Sequence, residues 1–88
     1  MKTLQTNNQA IKDLLQGQGM LIKDHGYGIV VVYVRKIHRD YSFAIAQVTA
    51  MLKRENPDFT LTTATYILGK DTDEWNSCML CFDEKTQN

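Results

Sequence analysis

The spacing of apolar residues changes period repeatedly along this chain, and each change marks a predicted element. Ile11, Leu14 and Leu15 fall on one face of a 3.6-residue repeat, with Lys12, Asp13 and Gln16 on the other. Ahead of them, Thr6-Asn7-Asn8-Gln9 has capping-box spacing, with the Thr6 hydroxyl as cap and Gln9 reaching back. Gly17 offers the left-handed position that closes a helix, so a short first helix is predicted from about Asn7. Met20-Leu21-Ile22-Lys23 reads as a strand, and Asp24-His25-Gly26-Tyr27-Gly28 as a hairpin loop whose residues tolerate positive φ.

The second strand is predicted from Gly28 to about Ile37, around the apolar run Ile29-Val30-Val31-Val32-Tyr33-Val34. Its even positions, Val30, Val32 and Val34, are uniformly apolar, whereas the odd ones include Tyr33 and Arg35; the even side is therefore assigned to the core. After a cap at Asp40 or Ser42, the residues Tyr41, Ile45, Val48 and Leu52 recur at helical spacing until Asn56-Pro57 stops the helix. Asp58 to Gly69 is dense in β-branched residues. Its apolar parity shifts from Phe59 and Leu61 to Ala64, Tyr66 and Leu68, which predicts a strand with a bulge near Thr63. A polar turn follows, then a last strand from Trp75 to Phe82 and a charged tail, residues 83–88, expected to fray.

The predicted order is α-β-β-α-β-β in a single domain spanning residues 1–88. The economical packing is an α+β fold, a four-stranded antiparallel sheet with two helices on one face. This resembles a circular permutation of the ferredoxin-like arrangement, a likeness of topology that implies no function. The alternative places the first helix on the opposite face, making three layers. In the two-layer fold, Val30, Val32, Val34, Cys78, Leu80 and Phe82 form the core. Val31, Tyr33, Arg35, Trp75, Met79 and Cys81 then lie on an open face. Aromatics, Met and Arg are the residues that interfaces favour, so these six are the candidate partner-binding residues.

Composition narrows the function classes. The 88 residues carry ten basic and ten acidic side chains, so the chain lacks the net positive charge of a nonspecific nucleic-acid binder. The charges are nonetheless unevenly spread: residues 1–44 hold six Lys/Arg and three Asp/Glu, residues 45–88 four and seven. The basic segment Arg35-Lys36-Ile37-His38-Arg39, flanked by Tyr33 and Tyr41, supports an alternative reading. In it, Arg35, Lys36 and Arg39 meet phosphates. No apolar stretch approaches the roughly 20 residues of a bilayer span, and the N-terminal residues are polar, so a cytoplasmic location is expected.

Motifs for chemistry are weak. Cys78-Met79-Leu80-Cys81 is a lone C-x-x-C whose thiols point to opposite sides of a strand, which suits neither one metal nor an unstrained disulfide. His25 and His38 could supply further zinc ligands, but a second closely spaced pair is missing. Gly26-Tyr27-Gly28 leads into a strand, whereas a phosphate loop needs a helix N-terminus. No cofactor, metal or catalytic residue is assigned. The reading from sequence is a non-enzymatic protein-binding regulator or inhibitor, homodimeric, of the small neutral kind common among phage and mobile-element products. No membrane partner is expected.

Overall fold

The computed structural model describes residues 2–36, 40–67 and 74–85. Two helices and four strands follow in the order α1 (Gln9–Gln18), β1 (Met20–Gly26), β2 (Ile29–Arg35), α2 (Tyr41–Glu55), β3 (Phe59–Ile67) and β4 (Trp75–Glu84). The fold is α+β with one four-stranded antiparallel sheet, as the hydrophobic pattern predicts, and pairing sets the strand order β1-β2-β4-β3. Since β4 runs antiparallel to both neighbours, β2 and β3 are parallel with β4 inserted between them, a split β-α-β arrangement.

Both helices cover the same face, which excludes the three-layer alternative. Ile11 of α1 and Ala44, Ile45, Val48 and Leu52 of α2 join Met20, Val30, Val32, Val34, Cys78, Leu80 and Phe82 in one buried cluster. All six strand residues assigned to the core are in it. The pairs Val30↔Leu80 and Val32↔Cys78 put neighbouring core side chains directly across the central strands.

Helix ends differ from expectation. Asn8, not Thr6, caps α1, its Oδ1 accepting from the Ile11 amide at 2.9 Å, and the Gln9 amide group turns forward to Asp13 instead of back. The cause is tertiary. Asn56, only 4% exposed, accepts from the Gln5 amide through Oδ1 at 2.6 Å and donates through Nδ2 to the carbonyls of Gln5 and Leu52. Holding Gln5 against the end of α2 also seats Leu4 in the core. At its other end α1 runs through Gly17 and stops at Gly19, whose φ of 61° is the left-handed cap.

The β1–β2 hairpin closes on two residues, Tyr27 and Gly28, both with positive φ, the sign pattern of a type I′ turn. A bulge between Asp24 and Gly26 precedes it, and Asp24 Oδ1 accepts from the Gly26 amide at 2.8 Å. The bulge expected in β3 lies between Leu61 and Thr63. β2 ends at Arg35 and Lys36 already lies in a turn, short of the predicted end at Ile37, which falls outside the described residues, as does Leu68. β4 runs past its expected end: Asp83 and Glu84 pair with Thr60 and Phe59, and the Lys85 amide donates to the Asp58 carbonyl at 2.7 Å. Asp83 and Glu84 are thus paired in the sheet instead of fraying, with Lys85 bonded just beyond its end, and residues 86–88 of the expected tail lie outside the described residues.

Candidate functional site, the open face of the sheet

Because strand side chains alternate, the face opposite the helices is fixed by the same register that builds the core. Across one rung lie Leu21, Tyr33, Ser77 and Ile67. The next carries Lys23, Val31, Met79 and Thr65; beyond it stand Ile29, Cys81 and Thr63. Arg35 and Trp75 pair at one end of the face and Thr60 and Asp83 at the other. All six candidate partner-binding residues, Val31, Tyr33, Arg35, Trp75, Met79 and Cys81, therefore share one surface.

The centre of this surface is less exposed than its edges. Val31, Tyr33, Trp75, Met79 and Cys81 are half-buried, while Leu21 and Ile67 toward the edges are 56% and 42% exposed. Parity in the two central strands reveals the first group. Leu21 and Ile67 are not in the sequence-derived set, because an edge strand's register is fixed by pairing that its own sequence does not state. A shallow hollow between Leu21, Lys23, Tyr33 and Trp75 lies on this face.

Charge is sparse here. Within the described strands only Lys23, Arg35 and the peripheral Asp83 are charged on this side. The Arg35 guanidinium sits 4.6 Å from the centroid of the Trp75 ring, close enough for a cation–π attraction, and 4.0 Å from Glu74 Oε2. Of the alternative phosphate-binding set, Arg35 is thus engaged by an aromatic ring and a carboxylate, Lys36 is exposed, and Arg39 lies outside the described residues.

The two cysteines are unpaired and face opposite sides of β4, Cys78 inside the core and Cys81 on the open face. Burial pushes the Cys78 thiol above its ordinary pKa, partly offset by a hydrogen bond with the Thr65 backbone. A thiol-reactive dye is expected to label one thiol of the native protein quickly and the second only after unfolding. The Cys81→Ser variant should lose the fast phase; a fast phase that survives this substitution contradicts the assignment. Among the described residues no group of three or more His, Cys, Asp or Glu side chains is placed to hold a metal ion, and no helix is long and apolar enough to cross a membrane.

The face measures roughly 19 Å across four strands and 24 Å along seven residues, a plane of roughly 450 Å². Lys23, Thr63, Thr65 and Ser77 share that plane with the apolar side chains, and the whole of it is about half of what each partner contributes to a standard interface. No family model, no curated protein and no solved structure matches the chain.

Proposed function

We propose that this chain is a non-enzymatic regulator or inhibitor that holds another protein against the open face of its sheet. The observation that supports this reading is the continuity of the face: aromatic, Met and aliphatic side chains from all four strands form one surface that neither helix covers. Side chains on paired strands are already ordered, so less conformational entropy is lost when a partner docks than on a loop. Lys23 and Arg35 flank the apolar centre, which favours a partner with an apolar patch bordered by carboxylates.

Site-specific photo-crosslinking tests the proposal. A photo-reactive phenylalanine analogue in place of Met79 is expected to capture a discrete partner in cells, and the same probe at Lys12, exposed on α1, is not. Adding Tyr33→Glu should lower the Met79 adduct at least about tenfold, since it buries an unpaired charge at the centre of the contact. Equal capture from Lys12, or an adduct indifferent to Tyr33→Glu, overturns the reading. Filter binding at low salt decides the alternative. Affinity for nucleic acid that falls steeply with salt, and vanishes in Arg35→Ala/Arg39→Ala, would replace the protein partner with a phosphate backbone.

A further inference from the structure

A sheet edge presents a row of unpaired N–H and C=O groups, and natural proteins usually blunt it with charges, proline, bulges or a short strand. The two edges of this sheet are not treated alike. β1 carries Lys23 and Asp24 and ends in a bulge. β3 extends for nine residues, FTLTTATYI, and has a bulge of its own between Leu61 and Thr63, but it carries no charge, proline or glycine, and among the described residues only β4 pairs with it.

The helix layer also stops short of this edge. Ala64 and Tyr66 pair with the core residues Leu80 and Cys78 and so project toward the helices, yet both are exposed. Tyr66 remains 56% exposed although its ring meets that of Tyr41 edge-on at 6.2 Å. A strand whose core-facing side chains are left uncovered calls for more sheet and more cover beyond it.

We propose that β3 pairs antiparallel with β3 of a second copy of this chain, joining two four-stranded sheets into one of eight strands. Three features select a second copy over a foreign strand. A strand without charge meets no like-charge repulsion from itself, which a charged edge would suffer on every symmetric rung. A two-fold antiparallel pair is self-complementary, so each free donor finds an acceptor on the mate. The third feature is size. Past the bulge the regular described segment runs from Thr63 to Ile67, and an axis at its centre, Thr65, sets Ala64 opposite the other copy's Tyr66 on the helix side, and Thr63 opposite its Ile67 on the open side. Small thus meets large on both faces, and each copy covers the other's overhanging Tyr66. This pairing stands independently of the open-face docking, but it would place two open faces side by side as one doubled surface.

Such an edge contact buries less than about 1,200 Å², the size class of weak and transient association, so the dimer is expected to be in exchange with monomer. Sedimentation equilibrium of the full chain from roughly 10 µM to 1 mM is expected to show a monomer–dimer equilibrium. Thr65 is exposed, and Thr65→Lys sets two ammonium groups against each other at the axis. It should raise the dissociation constant at least about tenfold without changing the circular dichroism spectrum or the urea midpoint. Opposed Cβ atoms of an antiparallel pair lie about 5 Å apart, near the span of a disulfide. Thr65→Cys in a Cys81→Ser background should therefore cross-link under mild oxidation, while Thr60→Cys, before the bulge, should not. A monomer at every concentration, a dimer untouched by Thr65→Lys, equal cross-linking from Thr60, or open-ended polymers would each overturn the pairing. So would a dimer dissolved by Met79→Glu alone, which would assign the second copy to the open face.

Discussion

Gly28→Ala is expected to destabilise the protein by about 2–5 kcal/mol, a large share of the marginal stability of a domain of this size. Gly28 has φ +78°, and a Cβ there would stand 2.0 Å from the Phe82 carbonyl oxygen. The same strand end is tied by the Phe82 amide donating to the Gly28 carbonyl at 2.8 Å, so β4 cannot retreat without breaking its own ladder. Gly26 is the natural control. Its φ is +80°, but a Cβ there meets nothing within 4 Å, so Gly26→Ala should cost only the left-handed penalty of about 1–2 kcal/mol. Urea denaturation of the two variants separates close approach from backbone conformation; equal losses would mean that the Phe82 contact yields readily.

The second large effect is at Asn56. Its amide group makes three hydrogen bonds, to the Gln5 amide and to the carbonyls of Gln5 and Leu52, at a buried site. Asn56→Ala leaves those backbone groups unpaired at a cost of about 2–4 kcal/mol, and should free the segment that carries Leu4. Amide hydrogen exchange at Gln5 should accelerate more than that at β2 core positions such as Val32. Asn56→Asp retains the acceptor but aims an oxygen at two carbonyls, so it should rescue little. Stability of Asn56→Asp near that of the native chain would show that the two Nδ2 bonds contribute nothing.

Both effects arise from contacts that connect distant parts of the chain, and this marks the limit of what its residues disclose singly. The parity of Val30, Val32 and Val34 against Val31 and Tyr33 was legible, because alternation in a central strand reports directly which side is buried. The bulge in β3 was legible for the same reason: a parity shift within one strand has few other causes. The first helix cap was not, since Thr6-Asn7-Asn8-Gln9 offers several local solutions and Asn56, far along the chain, decides among them by holding Gln5. Gly17 looked like a stop because glycine disfavours helix, yet the chain needed two more residues before β1 could begin at Met20. On the open face, four strands had to be aligned before Leu21 and Ile67 could join Tyr33 and Met79. Residue pattern supplied faces, and pairing supplied neighbours.

The strand order has a consequence for biosynthesis. β2, the most apolar strand, finds its second neighbour only in β4, which begins 40 residues after Arg35 in the sequence. At translation rates of 5–20 residues per second, about 2–8 s pass between the emergence of the two. During that interval the nascent chain holds a valine-rich strand with one unsatisfied edge and no lid over its open side. The central seam of the sheet is therefore closed by β4, the last of the described strands in chain order, and the yield of folded protein should depend on how quickly that strand follows.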